Sequence, residues 1–364
     1  MKRHTNVIGN ETLRRILLVR LRSIGDTVLM TPCLTALKAW QPAVEIDVLV
    51  ESLSAPVLRA HPQVTRLFVL SSATTQLAKL TSRLQIIKEL RARHYDIAFN
   101  LHGGTTATFL TRAAGARVTV GYAANPYASL LSWRAPNPQT IWQKQHIHCV
   151  EQQLALLKWA GVPISLPPQL SLAVEPSADQ SIINRLAEKS IGPAFAVVHP
   201  AAAFPSKQWE AARFARAIEH LYEQHQLPAI VVVAAHEAAI GEAVVSQTRC
   251  PVTSFQDLDL SQLMALIARA SLFLGNDSGP AHIATAFGKP VVVIYGSSNA
   301  QVWHPWSKVA YRLLRAELPC APCPGYTCRE FPEPECIKRV YVNEVITALD
   351  QLITDQLSQR RSLM

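Results

Sequence analysis

Short runs of apolar, mostly β-branched residues alternate with longer amphipathic segments along most of the chain. In the first half, strand-like runs cover residues 16–21, 45–50, 66–70, 96–101 and 117–122, and helical patterns cover 25–40, 76–93 and 104–114. Strands that alternate with helices form parallel sheets, because each return to the same edge of the sheet needs a crossover connection. The first half is therefore predicted to form one doubly wound α/β domain.

The second half repeats this design after a connector that contains Pro163, Pro167 and Pro168. Its strand-like runs cover 194–199, 228–234, 271–276 and 290–296, and its helical patterns cover 208–225, 236–248, 259–269 and 279–287. A length of 364 residues also favours two domains. We predict an N-terminal domain over 1–168, a C-terminal domain over 169–340, and a helix over 341–364 that packs back on the N-terminal domain. Two such α/β domains are expected to face each other across a cleft.

The segment from 125 to 145 interrupts the strand and helix rhythm of the first half. It holds three prolines and the aromatic residues Tyr127, Trp133 and Trp142. Long connections without regular structure in a compact domain are usually functional. We interpret this segment as a long functional loop, followed by a helix over 146–160.

Charge is divided unevenly between the two halves. Residues 1–170 hold 19 Lys and Arg against 8 Asp and Glu, whereas residues 171–364 hold 16 against 18. A one-sided basic field indicates an anionic partner such as nucleic acid, an anionic lipid surface or a phosphorylated glycan, or else only a solvated surface. No apolar run reaches the length of a membrane span and the first 15 residues hold no apolar signal segment, so we expect a cytoplasmic protein with reduced cysteines.

The first candidate site follows the first strand, in the sequence RLRSIGDTVL. Gly25 permits a tight turn and Asp26 stands where a helix begins. Ligands of open α/β sheets bind beyond the carboxyl ends of the strands. Asp26 is therefore either a helix N-cap or a general base held by a rigid strand-to-helix turn.

The second candidate site is the polar turn GNDSGP between a strand and a short helix. Its glycines let backbone N–H groups approach a ligand, and Pro280 suits the first position of a helix. A helix N-terminus presented in this way is typical of an anion site. The chain holds no Gly-x-Gly-x-x-Gly and no Walker sequence, so the phosphate interpretation depends on the architecture.

Two further residues follow strands of the same predicted sheet. Lys207 precedes a helix in SKQWE and could neutralise a departing phosphate, or it is an ordinary solvated lysine. Glu237 follows another strand, where it could bind a ribose hydroxyl or simply favour the first helical turn.

Two other patterns admit a metal interpretation. Asp257 and Asp259 match the Asp-x-Asp of metal-dependent glycosyltransferases, but Asp259 directly precedes a strong amphipathic helix, and the favoured interpretation is that it caps this helix. The four C-terminal cysteines open with Cys-x-x-Cys, which is compatible with a zinc site or a redox-sensitive cluster, while a proline-stiffened loop with free thiols is favoured. They are Cys320, Cys323, Cys328 and Cys336. Cys33, Cys149 and Cys250 are interpreted as small core residues.

Taken together, RLRSIGDTVLMTP, SKQWE and GNDSGPAHIATAFGKPVVVIYGSSNA resemble the ADP-heptose:lipopolysaccharide heptosyltransferases, glycosyltransferase family 9. Their order and spacing are similar over most of the chain, and the C-terminal cysteine cluster resembles one seen in members that act beyond the first heptose. The resemblance implies a GT-B fold with two Rossmann-like domains, the acceptor on the N-terminal one and the nucleotide sugar on the C-terminal one. It also implies an inverting enzyme without metal or other cofactor.

The resemblance extends to individual residues. Asp26 resembles the catalytic base and Lys207 the lysine that binds the diphosphate, and both are assigned as catalytic. The resemblance places the donor nucleotide at Glu237, Asp277, Ser278, Gly279 and His282. We place the acceptor at Arg22, Ser23, Gly25, His102 and Gly103. Asn100 stands where many members have an acidic residue, and the 125–145 segment has no clear counterpart in the family.

The expected partners are therefore an ADP-sugar donor, the lipopolysaccharide inner core and the inner face of the cytoplasmic membrane, to which the enzyme would bind peripherally. Nucleic acid is not expected, because no recognition helix or RNA-binding aromatic signature is present. The alternatives are a GT-B transferase for another nucleotide sugar or acceptor, a hydrolase or epimerase on the same fold, and a non-catalytic glycan-binding protein.

Overall fold

The computed structural model describes residues 12–71, 75–323 and 327–362. The chain divides into two compact units between Ala173 and Val174, a few residues beyond the boundary predicted at 168. Each unit holds a six-stranded sheet in which all the paired strands run parallel.

The sheet of the first unit has the strand order β3-β2-β1-β4-β5-β6. Its strands are β1 (Arg15–Val19), β2 (Glu45–Glu51), β3 (Arg66–Leu70), β4 (Ile97–Asn100), β5 (Val118–Tyr122) and β6 (Trp133–Ala135). Its helices are α1 (Ile24–Leu29), α2 (Thr31–Trp40), α3 (Pro56–Arg59), α4 (Gln76–Arg91), α5 (Thr105–Ala113), α6 (Pro138–Trp142) and α7 (Cys149–Ala160). The strand order reverses between β1 and β4, and such a reversal opens a crevice at the carboxyl ends of the two strands.

The sheet of the second unit has the strand order β12-β11-β10-β7-β8-β9, so its order reverses between β7 and β10. Its strands are β7 (Ala196–His199), β8 (Ala229–Val232), β9 (Thr253–Phe255), β10 (Leu272–Asn276), β11 (Val291–Tyr295) and β12 (Tyr311–Arg315). Its helices are α8 (Pro176–Glu188), α9 (Ala211–His225), α10 (Ala238–Gln247), α11 (Leu260–Arg269), α12 (Gly279–Ala286), α13 (Ala300–Trp303), α14 (Glu335–Lys338) and α15 (Val342–Ser362).

The central strands are buried along nearly their whole length, as the apolar sequences of β1, β7, β10 and β11 require. Strands covered by helices on both faces have no polar face, so they appear in the sequence as continuous apolar runs. In the second unit the core extends to α15, whose Val345, Leu349 and Leu352 are fully buried against the α9 side of the sheet. Packing of this helix on the N-terminal domain stays a prediction.

Two predicted elements differ from the structure. The helix expected over 25–40 is divided at Met30 into α1 and α2, because Pro32 has no N–H to continue the helical ladder and the Thr31 hydroxyl donates to the Val28 carbonyl instead, at 2.8 Å. The interpretation of 125–145 as a long loop is wrong in part. This segment contains a 3₁₀ turn over Ala128–Leu130, strand β6, which pairs with β5, and helix α6.

Candidate active site

Asp26 lies in the first turn of α1, just beyond the carboxyl end of β1. The N-cap of this helix is Ser23, whose backbone N–H donates to Asp26 Oδ2 at 3.2 Å, while the Ser23 side chain faces the Asp26 N–H. The two residues form a reciprocal capping box. The interpretation of Asp26 as the N-cap itself is therefore wrong by three positions, because the helix begins at Ile24.

The Asp26 carboxylate is fixed from a second side by Arg20, which the sequence analysis did not select. Arg20 Nη2 forms an ion pair with Asp26 Oδ2, and Nη1 donates to the Leu101 carbonyl at 2.9 Å. The Arg20 side chain is 9% exposed and that of Asp26 is 17% exposed. A buried guanidinium needs such a partner, since an unpaired buried charge is costly. The signal in the sequence was an arginine inside the apolar run ILLVRL.

Cys149, at the start of α7, also contacts this carboxylate. Its Sγ lies 3.6 Å from Asp26 Oδ1, and burial raises the pKa of the thiol well above its usual range, an effect that the Asp26 charge increases. The neutral thiol is thus a weak donor to Asp26. Cys149 is a buried residue as expected, with an added contact to Asp26 that no local pattern could show.

His102 and Gly103 follow β4, on the other side of the same strand-order reversal. Burial lowers the pKa of His102, and the Arg20 charge lowers it further, while Asp26 opposes both. Its Nδ1 is buried without a hydrogen-bond partner among the described residues. His102 is therefore a neutral imidazole, held at the same edge of the sheet as Asp26.

The loop that carries His102 is held by Asn100. Asn100 is buried, accepts from the Gly103 N–H at 2.9 Å and donates to Thr108 Oγ1 at 3.0 Å. Gly103 has a φ of +81°, and a Cβ there would lie 3.0 Å from Asn125 Oδ1, so the position requires glycine. Asn100 is a structural residue of this loop.

Of the remaining residues placed on the acceptor side, Gly25 is buried inside α1. Arg22 is paired with Glu51 at 3.2 Å but leaves its side chain 73% exposed. Arg22 is therefore available to an anionic ligand beside the α1 turn.

In the second unit, Lys207 and Asp277 meet at the reversal between β7 and β10. Lys207 Nζ lies 2.9 Å from Asp277 Oδ2, and Ser298 Oγ donates to the same oxygen at 2.5 Å. The Asp277 side chain is 6% exposed and that of Lys207 is 23% exposed. Lys207 is thus an oriented, partly buried cation, which argues against an ordinary solvated lysine.

The 3₁₀ turn that carries Lys207 (Pro205–Lys207) is tied to the segment after β11. Ser206 Oγ lies 2.9 Å from Ser297 Oγ, and the Ser206 carbonyl accepts from the Ser297 N–H at 3.2 Å. A Cβ on Gly296 would lie only 2.0 Å from the Ser206 carbonyl oxygen. The position of Lys207 thus depends on the absence of a side chain at Gly296.

Helix α12 begins at Gly279, and its N-cap residue Ser278 makes no side-chain cap. Pro280 has no N–H and the Ala281 N–H donates to the Ser278 carbonyl at 3.2 Å, so the Gly279 N–H is the donor that this end of the helix offers to a ligand. Ser278 Oγ lies 3.5 Å from His199 Nδ1, and His282 is buried one turn into the helix. The positive N-terminal end of a helix beside a cation is suited to a diphosphate.

Glu237 ends a 3₁₀ turn after β8, and its Oε2 accepts from the Ala234 N–H at 3.1 Å. This hydrogen bond directly supports the interpretation that Glu237 stabilises its own turn. Burial lowers the pKa of His199, and the Glu237 charge opposes this. Glu237 retains a second carboxylate oxygen for a ligand.

The two metal interpretations have different outcomes. Asp259 caps α11 by accepting from the Gln262 N–H at 2.8 Å, and Asp257 pairs with Arg185 at 2.6 Å, whose hydrogen bond lowers the pKa of Asp257. Both carboxylates therefore have structural partners.

The four C-terminal cysteines are free thiols that line one cavity of about 220 Å³. Within the described ranges no three of their sulfurs form a metal-ligating group, and a loop with free thiols stays the favoured prediction, with zinc as its alternative.

A family model described as "Glycosyltransferase family 9 (heptosyltransferase)" matches residues 83–332. The chain belongs to glycosyltransferase family 9. Lipopolysaccharide heptosyltransferase 3 of Escherichia coli is 29% identical over 293 residues, which cover 79% of this chain and 85% of that protein. This family 9 member is thus a glycosyltransferase, and the resemblance stated from the sequence is confirmed.

Solved structures of the family share its fold. A family 9 glycosyltransferase of Veillonella parvula aligns with a TM-score of 0.82 and 19% identity, covering 94% of this chain and 97% of that chain. The E. coli ADP-heptose lipopolysaccharide heptosyltransferase II aligns with a TM-score of 0.76 and 19% identity, covering 94% and 99%. The predicted GT-B fold class is confirmed. Throughout the described ranges, no helix combines the length and hydropathy of a membrane span.

Proposed function

We propose that this enzyme transfers a heptose from ADP-heptose to the inner core of lipopolysaccharide, by an inverting reaction without a metal ion. The names of the similar heptosyltransferases support the donor and acceptor classes. The observation that carries the proposal is the Asp26 carboxylate, which Arg20 and Ser23 hold at the crevice of the first sheet. A carboxylate in a fixed position at such a crevice is suited to general base catalysis.

In this mechanism Asp26 accepts the proton of the acceptor hydroxyl as its oxygen attacks the anomeric carbon. The bond from that carbon to the diphosphate oxygen breaks, and ADP leaves with the electron pair. A single displacement inverts the anomeric configuration. Negative charge that develops on the diphosphate is neutralised by Lys207 and the positive N-terminal end of α12, as preorganised dipoles and cations do in other active sites.

The donor pocket follows from the same geometry. Asp277 orients Lys207 through the 2.9 Å contact, and the second oxygen of Glu237 is available for a ribose hydroxyl. On the acceptor side, the exposed Arg22 offers a guanidinium for acceptor carboxylates or phosphates. The excess of basic residues in the first unit favours such an anionic acceptor.

Asp26→Asn tests the base. It removes the proton acceptor but keeps the shape of the side chain, and we expect kcat to fall by roughly 10²–10⁴-fold while ADP binding is unchanged. Asp259→Asn is the matched control, because Asp259 is also a capping-box carboxylate but lies outside both crevices. Product mass with ADP-heptose, other nucleotide sugars and truncated lipopolysaccharides identifies the substrates, and the anomeric configuration of the product tests inversion.

Normal turnover by Asp26→Asn would contradict the assignment. The same holds if its loss of activity matches a loss of folding in thermal unfolding. Extensive chelation with EDTA should leave the rate unchanged, and a strict requirement for Mg²⁺ or Mn²⁺ would overturn the metal-free mechanism.

We infer that the first unit also binds the inner face of the cytoplasmic membrane, and that helix α4 is the contact. Leu77, Leu80 and Leu84 recur at helical spacing and are 73%, 55% and 57% exposed. Arg83 and Lys88 are exposed on the same helix. Exposed apolar side chains can insert at the boundary between headgroups and acyl chains, and basic neighbours are attracted to anionic lipids.

Substituting these three leucines with glutamine should reduce co-sedimentation with vesicles that contain phosphatidylglycerol, and Leu166→Gln, at an 83% exposed leucine outside α4, should not. The double variant Arg83→Glu, Lys88→Glu should bind the same vesicles only weakly, even at low salt. Arg91 and Arg93 are unsuitable for this test. Arg93 pairs with the buried Asp47 at 2.7 Å, and Arg91 donates to the Ala113 carbonyl at 2.8 Å. Unchanged binding by the leucine variant would contradict the α4 contact.

A further inference from the structure

Two histidines and one aspartate converge on the surface of the second unit. His220 Nε2 and His225 Nε2 lie 2.7 Å and 2.6 Å from the same oxygen, Asp350 Oδ1. The two imidazole rings are 5.5 Å apart at an angle of 70°, so their nitrogens point to a common centre. In the part of the chain that the structure describes, no other group of three His, Cys, Asp or Glu ligand atoms comes as close together.

The position of this cluster separates it from the transfer reaction. Both histidines lie in the last two turns of α9, and Asp350 lies on α15, which packs beside α9. Helix α9 starts beyond the carboxyl end of β7 and returns to the start of β8, so its final turns lie at the edge of the sheet opposite Lys207 and Asp277. The cluster connects the two helices away from the donor site.

The chemistry of the three side chains suits a transition-metal ion. Two imidazole nitrogens and a carboxylate are a common ligand set for Zn²⁺, which binds nitrogen at about 2.0–2.1 Å and oxygen at about 2.0–2.2 Å. At these bond lengths, tetrahedral ligands lie about 3.3 Å apart, so each imidazole must withdraw from Asp350 by about 0.6 Å. The side chains can do this, because they are 19%, 22% and 44% exposed and therefore also reachable from solvent.

The hydrogen bonding of the cluster is favourable too. Asp350 Oδ1 is the shared partner of the His220 and His225 imidazoles. A cation would take the place of the two N–H donors that now converge on this oxygen.

We propose that His220, His225 and Asp350 bind a divalent transition-metal ion of the Zn²⁺ class, with water at the fourth position, and that this ion ties α15 to α9. The role is structural. It is independent of the proposed transfer reaction, which neither requires the ion nor is tested by it.

The test uses the full chain after EDTA treatment and dialysis under reducing conditions, with Zn²⁺ alone as the probe. Calorimetric titration gives the number of sites, and thermal unfolding gives the stability of the second unit. At a free Zn²⁺ concentration 100 times Kd, we expect the midpoint to rise by about 5–10 °C. The doubly substituted variant His220→Gln, His225→Gln keeps N–H donors for Asp350 but lacks the imidazole ligands. It should lose one Zn²⁺ site and the thermal shift, while keeping the metal-free midpoint of the parent chain.

Two controls separate this cluster from other sources of binding. His146→Gln removes an exposed imidazole elsewhere and should keep both the site and the shift. A chain with serine at Cys320, Cys323, Cys328 and Cys336 should also keep them. The proposal is overturned if the double histidine variant shows the parent's titration and shift, or if only the serine variant loses them, which would place the zinc at the cysteines.

Discussion

Gly296→Ala should lower activity by displacing Lys207, although residue 296 itself offers no side chain to a ligand. A Cβ at this position would lie 2.0 Å from the Ser206 carbonyl oxygen, whereas real Cβ atoms essentially never approach closer than 3.0 Å. The Ser206 carbonyl oxygen must therefore move away from residue 296 by about 1 Å, which is the difference between these two distances. Because Ser206 directly precedes Lys207 in the 3₁₀ turn, the lysine moves with it and the 2.9 Å contact with Asp277 is lost.

The magnitude follows from the sensitivity of transfer reactions to position. A misplacement of about 1 Å can cost on the order of 10²-fold in rate, because the charge no longer meets the group that it stabilises. We expect kcat/KM for the donor to fall by about that factor in Gly296→Ala. Release of ADP from ADP-heptose, in the presence of truncated lipopolysaccharide, measures the rate, and thermal unfolding shows whether the second unit still folds.

Gly192→Ala is the matched control, because nothing lies within 4 Å of a Cβ built there. It should keep kcat/KM within about twofold and leave stability unchanged or slightly higher, by less than about 1 kcal/mol. If Gly296→Ala folds and retains the parental kcat/KM, the position of Lys207 does not set the rate, and the role that we assign to this lysine is refuted.

Two further predictions concern single side chains. Lys207→Gln should raise KM for the donor and lower kcat, because the diphosphate loses its cation. Lys289→Gln, the control, should change neither constant in steady-state kinetics. Equal effects of the two substitutions would contradict the assignment of Lys207 to the diphosphate. His61 is buried, with Nε2 3.0 Å from Ser171 Oγ and Nδ1 accepting from the Gln63 N–H, and burial lowers its pKa below the ordinary value of about 6.5. The unfolded chain therefore takes up the proton first as pH falls below about 6.5, so the stability contributed by neutral His61 is complete above that pH and is lost below it. The midpoint of thermal unfolding should fall less between pH 7.5 and 5.5 in His61→Gln than in the parent chain, and an equal fall would count against this reasoning.

The position of a site residue could be predicted from the sequence where that residue follows the end of a strand. Asp26, Lys207 and Asp277 each follow an apolar strand, so their placement at the carboxyl ends of parallel strands could be derived from periodicity and the topology of α/β sheets. The short strands β6 and β9 could not be derived in this way. Each has only three residues, too few to show a pattern.

Contacts between distant segments explain the other omissions. Cys149 meets Asp26 across 123 positions, and the Arg20 guanidinium reaches the Leu101 carbonyl across 81. A local sequence pattern cannot show contacts between residues that are so far apart in the chain. Asn100 is a further example, because the sequence marks it only as a departure from an acidic residue, whereas the structure shows an amide that holds the His102 loop.

The burial of α15 in the second unit has a consequence for synthesis on the ribosome. Val345, Leu349 and Leu352 complete a core that also contains Trp209 and, from α9, Phe214 and other residues. The first unit is continuous in sequence up to Ala173 and can fold as soon as it emerges. The second unit must expose the apolar face of α9 until α15 has been translated, although strand β7 emerged long before. Nascent chains that end before Val342 should therefore recruit chaperones to this face, while the first unit beside them is already native.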